Sequence, residues 1–181
     1  MTYYGAKDLA SAFRTVRENT IKIAEEIPEE KYSFRPAPEC RTIGDTLTHV
    51  ALATGFQSHV HENKITDMQT VNFPELFQKF SAEEAKPRTK AEIVAMLKGE
   101  GDKFARFLDG LSESFLAEQV NMRPGMTPAA KSRFEMLLSA KEHEMHHRGQ
   151  LMTMERIIGI VPHLTRQMQE RMAQVMAQAQ R

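Results

Sequence analysis

Glu142-His143-Glu144-Met145-His146-His147-Arg148-Gly149-Gln150 is the stretch that decides how the rest of this chain is interpreted. It lies in a segment, Ala129–Val161, that contains no proline. Apolar residues recur there with the i, i+3, i+4, i+7 spacing of one helical face, which predicts a single long helix. These apolar positions are Phe134, Leu137, Leu138, Leu151, Met154, Ile157 and Ile158.

Two histidines of this helix have the spacing of metal ligands. Residues four apart lie on one helical face, so His143 and His147 are stacked one turn above the other and can direct ring nitrogens at a single ion. Neutral imidazole is a good ligand for zinc, nickel, copper or iron. One helix cannot complete a metal site alone, so a third ligand must come from another element.

His49 is the best candidate for the third ligand, because it lies inside a second predicted helix between Leu47 and Val50. A lone histidine in that setting is more often a hydrogen-bonded core residue, but the histidine pair on another helix favours a ligand. Three histidines with an open fourth position are typical of a catalytic metal site, whereas a structural zinc site more often uses cysteine. The sequence therefore predicts a divalent-metal site formed by His49, His143 and His147.

Two other interpretations stay open. The run His143-Glu144-Met145-His146-His147 satisfies the H-E-x-x-H pattern of zincin metalloproteases, in which the glutamate activates water. That signal is weak, because three fixed positions recur by chance in a helix rich in His and Glu, and zincins place this helix against a sheet that the sequence does not predict. The other alternative is a non-catalytic bundle in which a structural metal, or satisfied core histidines, only holds two helices together.

Apolar periodicity along the chain predicts an all-α protein, most simply a four-helix bundle with an extra C-terminal helix. The predicted helices are Lys7–Ile27, a second from Thr42 to about Asn63, a third from Thr89, a fourth opened by Thr127-Pro128 and closed by Gly159 and Pro162, and a peripheral fifth over His163–Gln180 within residues 163–181. Thr42 and Thr89 are suitable N-caps, and Glu92 completes a capping box with Thr89. The connection Lys64–Arg88, with one short helical turn at Glu75–Phe80, is a candidate lid over a site.

Composition limits the function classes. At 181 residues, the chain suits a single domain spanning 1–181. Its formal net charge of +0 argues against nucleic acid as a partner, and no run approaches the ~20 apolar residues of a membrane span. Cys40 is the one cysteine, so no intrachain disulfide forms, and Met1–Ala10 lacks the pattern of a secretory signal. We expect a cytoplasmic protein.

The remaining candidate residues have simpler interpretations. His146 falls on another face from His143, which predicts an exposed residue or one that supports a ligand. Arg148 is interpreted as a salt-bridge partner for Asp45 or a neighbouring carboxylate rather than as a catalytic group. The methionine stripe of the last helix predicts packing against the bundle or a second subunit. Three further histidines near predicted helix ends are expected at the surface: His59, His61 and His163.

Two stretches of the chain resemble the DinB/YfiT-like superfamily of metal-binding four-helix bundles. The first runs from Ile27-Pro28-Glu29-Glu30-Lys31 through Arg35-Pro36 to Thr42-Ile43-Gly44-Asp45-Thr46-Leu47-Thr48-His49-Val50. It is similar to the family's connector, followed by a helix start with one histidine about two turns in. The second is His143-x-x-x-His147-Arg148-Gly149-Gln150, which is similar to the family's H-x-x-x-H-R-G-Q signature. The likeness covers most of residues 7–160.

The resemblance implies an up-down-down-up bundle, a divalent ion held by His49, His143 and His147, and a homodimer. Zinc or nickel is the expected metal, with iron or manganese as alternatives. Family members with known activities include transferases that use low-molecular-weight thiols such as bacillithiol or mycothiol. The expected function is accordingly a metal-dependent thiol transferase or hydrolase acting on a small molecule, with such a thiol as one candidate.

Overall fold

The chain is mostly helical in a computed structural model that describes residues 4–179. The elements in chain order are α1 (Ala6–Glu26), α2 (Ile43–Glu62), α3 (Phe73–Glu84), α4 (Lys90–Asp109), α5 (Glu113–Ala117), β1 (Gln119–Asn121), β2 (Ala130–Ser132), α6 (Arg133–Ile157) and α7 (His163–Ala179). Two short 3-10 turns, Glu29–Lys31 and Met68–Thr70, lie in the connections on either side of α2. The predicted all-α class is confirmed, and the prediction of one domain over 1–181 stays a prediction.

Local capping explains where two of the long helices begin. The Thr42 hydroxyl accepts a hydrogen bond from the Asp45 amide, and Thr89 caps α4 in the same way through Glu92. These side chains satisfy backbone N–H groups that have no partner inside the helix. Both helix starts agree with the sequence-based prediction.

The four long helices α1, α2, α4 and α6 form a bundle in which α1 lies diagonally opposite α2. Each of these two packs on both α4 and α6. One end of the core collects the end of α1, the starts of α2 and α4, and the end of α6, through Ile27, Ile43, Ile93 and Leu151. Helices α1 and α6 therefore run in one direction and α2 and α4 in the other. This is the expected up-down-down-up order.

The connection between α2 and α4 must cover the whole length of the bundle, because both helices begin at the same end. It does so through α3, which packs antiparallel along α2. The Phe73 ring at its start lies 5.8 Å from the ring of Phe56, and Glu84 at its end reaches His49. The sequence analysis predicted one short helical turn at Glu75–Phe80. The helix is longer than predicted, since it spans twelve residues.

The prediction that Thr127-Pro128 opens the fourth helix was wrong. That peptide bond is cis and lies in the turn between β1 and β2, which pair antiparallel from Gln119↔Ser132 to Asn121↔Ala130. The helix begins at Arg133, because Ser132 accepts a hydrogen bond from Glu135 and supplies an alternative cap. The expectation of no sheet is corrected to one two-stranded sheet in the described residues.

One buried ion pair connects all four helices of the bundle. Arg17 on α1 donates through Nε to both carboxylate oxygens of Glu144 on α6, each at 3.0 Å. Its other nitrogens donate to the Leu97 carbonyl of α4 at 2.8 Å and to the Val50 carbonyl of α2 at 3.1 Å. Gly101 makes room for it, because a Cβ there would lie 2.7 Å from Arg17 Cγ.

Helix α7 is attached to the bundle at its beginning and exposed afterwards. His163 Nε2 donates to Asn19 Oδ1 at 2.9 Å, and Arg166 pairs with Glu26 at 2.7 Å. The surface position predicted for His163 was wrong: only 1% of it is exposed, because α7 folds back against α1. The rest of the methionine stripe is exposed, at Met168, Met172, Val175 and Met176. The predicted helix end at Gln180 lies outside the described residues.

Glu155, on α6 near this junction, is fully buried. Neither of its carboxylate oxygens has a hydrogen-bond partner among the described residues. Burial, with a further contribution from Glu26, raises the pKa of Glu155 to about 7. Below about pH 7, Glu155 in the folded protein is therefore mainly the protonated acid.

The variant Glu144→Gln should lower the free energy of unfolding by about 3 kcal/mol, because it leaves the Arg17 guanidinium buried without a counter-charge. Urea denaturation measures this. The matched variant Glu142→Gln, at an exposed position of the same helix, should change it by less than about 0.5 kcal/mol. Equal effects in the two variants would show that the ion pair adds no stability.

The variant Glu155→Gln should remove a pH dependence of stability. Because the folded pKa lies above the ordinary 4.5, the folded state binds more protons between pH 4.5 and about 7, and wild-type stability falls as the pH rises through that range. The loss should be on the order of 1–3 kcal/mol. Urea denaturation at pH 5 and pH 8 measures the difference, and an unchanged slope in the variant would contradict the assignment.

Candidate metal centre

The three predicted histidines meet between α2 and α6. His49 lies in the second turn of α2, and His143 and His147 lie on successive turns of α6. The Nε2 atom of His143 is 3.1 Å from Nε2 of His49 and 3.2 Å from Nε2 of His147. All three nitrogens lie within 4.8 Å of one another, so one ion could contact them together.

Two neighbouring side chains orient the outer rings. Glu84, at the end of α3, accepts a hydrogen bond from His49 Nδ1 at 2.7 Å. Gln150 accepts from His147 Nδ1 at 2.8 Å, and its amide nitrogen lies 3.2 Å from His146 Nε2. A neutral imidazole carries one N–H, so these two contacts leave the Nε2 atoms of His49 and His147 as lone-pair acceptors.

The three inward ring nitrogens have too few protons to hydrogen-bond with one another, which favours a cation between them. Both acceptor nitrogens point at His143 Nε2, which can donate one proton to only one of them. The remaining contact places one lone pair against another, which a positive ion between the rings would relieve. Nitrogens about 2.0–2.1 Å from a tetrahedral zinc are about 3.3 Å apart, close to the two spacings observed here. The residues present therefore fit a divalent metal.

Burial and electrostatics favour the neutral form of His143 and His147. Burial, with further contributions from the neighbouring His147 and His49, lowers the pKa of His143 to about 4. Burial also lowers the pKa of His147, although its hydrogen bond to Gln150 raises it. Protons therefore compete weakly for the nitrogens that a metal would use.

A cavity of about 530 Å³ opens beside the cluster, between α2, α3 and α6. His49 and His143 belong to its wall, together with Glu84 and the side chains of Phe73, Phe77 and Phe80 from α3. Helix α3, which lies within the connection predicted as a candidate lid, forms one side of this cavity. Its role as a lid stays a prediction. A metal at the three histidines would thus face a space large enough for a small molecule.

Glu144, the glutamate of the H-E-x-x-H pattern, does not serve the cluster. Its carboxylate is engaged by Arg17 in the interior of the bundle, as the 100° step between neighbouring helical residues requires. The position that a zincin uses to activate water is therefore occupied by a structural ion pair. In the described residues, the two short strands β1 and β2 form the only β-sheet. The larger sheet against which zincins pack this helix is therefore absent from the described part of the chain.

Arg148 and His61 do not have the surroundings that the sequence analysis predicted for them. The salt bridge predicted for Arg148 was wrong: among the described residues it pairs neither with Asp45, which caps α2 through Thr42, nor with another carboxylate. The surface position predicted for His61 was wrong, since only 1% of it is exposed. Its ring accepts from Arg133 at 3.2 Å and donates to Gln57 at 3.1 Å, and burial lowers its pKa to about 4. The proximity of a helix end had suggested exposure, but α5 and α6 cover this end.

The sequence analysis missed Glu84 as a partner of His49. No spacing signal could have found it, because 35 residues separate the two and α3 was predicted as a short turn. Gln150 carried a signal, as it lies on the helical face of His147 three residues away. The family resemblance had placed Gln150 in the H-R-G-Q signature but had given it no role.

Comparisons with known proteins agree with this architecture. A family model described as the DinB superfamily matches residues 12–151. The YjoA protein of Bacillus subtilis is 24% identical over 154 residues, which cover 85% of this chain and 91% of YjoA. Its crystal structure, described as a DinB-like protein, aligns with a TM-score of 0.62 at 22% identity over 83% of this chain and 92% of that chain.

Two further solved structures share the fold. A DinB-like protein from Bacillus cereus aligns with a TM-score of 0.67 at 17% identity, over 89% of this chain and 97% of that chain. YfiT from Bacillus subtilis, described as a probable metal-dependent hydrolase with an unusual four-helix bundle topology, gives 0.66 at 11% identity over 88% and 91%. At these identities the similarity is evidence for the fold alone. No helix of residues 4–179 is both long and apolar enough to cross a bilayer.

In metal-free protein, the His143 ring should titrate with a midpoint near pH 4, well below its ordinary 6.5. Because the unfolded chain binds this proton more readily, the free energy of unfolding should fall as the pH drops from 6.5 towards 4. Nuclear magnetic resonance of the ring nitrogens, assigned with His143→Gln, measures the midpoint. A midpoint near 6.5 would mean that the ring is solvated and the cluster open in solution.

Proposed function

This chain belongs to the DinB superfamily, and from that premise we propose that it binds one divalent metal ion through His49, His143 and His147 and uses it as an enzyme on a small-molecule substrate. The reaction is hydrolysis or thiol-dependent transfer. Zinc or nickel is the proposed metal, with iron or manganese as alternatives, since imidazole ligands accept all of them.

The observation that carries this proposal is the convergence of the three Nε2 atoms. Glu84 and Gln150 fix the outer rings with their Nδ1 protons turned away from the centre. The inward nitrogens are then short of protons, and a metal ion supplies the missing positive charge. Carboxylate and amide partners of this kind are typical supports for histidine ligands of metals.

The position of the cluster favours catalysis over a purely structural metal. Structural zinc sites are usually closed by four protein ligands, whereas catalytic sites keep a position open. Here three histidines converge, and two of them form part of the cavity wall. When bound, the ion would polarise a substrate oxygen or lower the pKa of a bound water or thiol. The chain's own residues would hold the ion, orient the rings and exclude bulk water from one side.

The zincin alternative loses support because Glu144 is paired with Arg17. The choice between hydrolysis and thiol transfer draws on relatives: YfiT is described as a probable hydrolase, and the family resemblance includes thiol transferases. A homodimer and a cytoplasmic location stay predictions. The exposed methionine stripe of α7 is the surface that such a dimer would use.

Untagged wild-type protein should contain about one divalent ion per chain by elemental analysis, and His49→Ala and His143→Ala should contain none, because two histidines hold an ion poorly. His59→Ala, on the same helix as His49 but outside the cluster, is the control and should keep its metal. Glu84→Ala should weaken metal binding about 10–100-fold, while Glu83→Ala should not.

Metal retained in His49→Ala but lost in His143→Ala would place the third ligand elsewhere. Absence of metal after loading with zinc, nickel, iron and manganese would overturn the proposal. Enzyme activity is tested separately with a panel of ester, amide and thiol-acceptor substrates. Turnover should require the metal and be lost in His147→Ala, and a metal-loaded protein that turns over none of them would favour the structural alternative.

A further inference from the structure

We propose that the cavity beside the three histidines binds a neutral, mainly apolar small molecule with one metal-binding head group, rather than a hydrophilic or charged thiol. The inference rests on the proposed metal site and adds the chemical class of its substrate. It follows from the dimensions of the cavity, the residues of its wall and the pairing of its charges.

The cavity extends along α2 from the metal end to a second, polar end. His49 and Gln57 both line it, and eight helical residues separate them, a distance of about 12 Å. With a volume of about 530 Å³, it has the size of an ordinary ligand pocket. A molecule that coordinates the ion at one end would place its body along α2 and α3.

Four phenylalanines contribute to the cavity wall. Helix α3 contributes Phe73, Phe77 and Phe80, and Phe56 of α2 lies opposite them. Phe77 lines the cavity and is 74% exposed, so its ring is available to contact a ligand. An apolar ligand would cover such rings and gain the free energy of removing both surfaces from water.

The charged groups of the wall are already paired. Arg41 lies 3.7 Å from Glu84, which also accepts the 2.7 Å hydrogen bond from His49. Glu144 is neutralised by Arg17. A charged substrate arm would therefore lose its hydration and compete with these existing pairs for an opposite charge. This disfavours hydrophilic thiols that carry carboxylate or ammonium groups.

The polar groups at the second end of the cavity are hydrogen-bonded to other groups of the protein. Gln57 donates to Ser139 at 3.0 Å, and Ser139 donates to the Met136 carbonyl at 2.6 Å. The Gln57 carbonyl accepts from His61 at 3.1 Å. This chain of hydrogen bonds closes the cavity with few groups left to recognise a highly polar ligand. Recognition would come from shape and apolar contact.

Gly55 fixes the position of the Phe80 ring. A Cβ at Gly55 would lie 2.7 Å from Phe80 Cε1, so the absence of a side chain lets this ring pack directly on α2. Phe80 thus sets the width of the cavity at Gly55, between its metal end and its polar end. We assign it as a specificity-determining residue.

The test compares two hydroxamates with the same metal-binding head on cobalt-loaded full-length protein. The cobalt absorption spectrum reports binding at the metal. Phenylbutyryl hydroxamate should bind at least about tenfold tighter than acetohydroxamate, the order expected for burying an aromatic ring. Phe80→Ala and the exposed Phe77→Ala should reduce that ratio and leave acetohydroxamate binding unchanged. Phe107→Ala, in the core cluster of α1 and α4, is the matched control and should preserve the ratio.

Each outcome decides one of the two proposals. Equal affinities for the two hydroxamates, or a ratio that survives both Phe80→Ala and Phe77→Ala, would overturn the apolar substrate class and leave the metal site standing. Failure of cobalt to bind, together with failure of zinc, nickel, iron and manganese, would overturn the metal site. The cavity is then tested in metal-free protein with the neutral dye Nile red. Fluorescence enhancement lost in Phe77→Ala and kept in Phe107→Ala supports an apolar ligand, and no enhancement overturns it.

Discussion

The buried pair of Arg17 and Glu144 is the constraint on which the rest of the structure depends. Burying two charges costs several kcal/mol unless every donor and acceptor is satisfied. The arginine meets that requirement by donating to all three neighbouring helices of the bundle. The pair therefore fixes the rotation of α6, with Glu144 directed into the core. Because His143 and His147 lie about 100° and 60° around the helix from Glu144, they face α2 and the cavity. The same arginine binds the carbonyl of Val50, next to His49 in α2.

The site also depends on α3, a helix outside the four-helix bundle. The up-down-down-up order leaves a connection that must cover the length of α2, and α3 fills it. This helix orients His49 through Glu84 and supplies three of the cavity's phenylalanines. One element thus supports a ligand and shapes the binding space. A ligand at these phenylalanines would contact α3 directly, and a metal ion at His49 would affect α3 through Glu84.

The sequence predicted the parts of this site that depend on local spacing. The i, i+4 pair in α6 and the capped start of α2 follow from helical periodicity and capping. The position of His49 between apolar residues of the second predicted helix linked it to the pair, and the family resemblance agreed. Thr127-Pro128 was misassigned because a threonine followed by proline suits both a helix start and a turn. His61 and His163 were expected at the surface because their positions near helix ends contain no information about α5 or α7 folding over them. Glu84 depends on a contact across 35 residues that periodicity does not encode.

The central claim is that His49, His143 and His147 hold one divalent ion, and X-ray absorption spectroscopy of the zinc-loaded protein tests it most directly. The account predicts three imidazole nitrogens at about 2.0–2.1 Å and one further light-atom ligand from solvent. The further ligand should be replaced when a hydroxamate is added. A shell with fewer than three imidazoles, or one completed by the sulfur of Cys40, would contradict it.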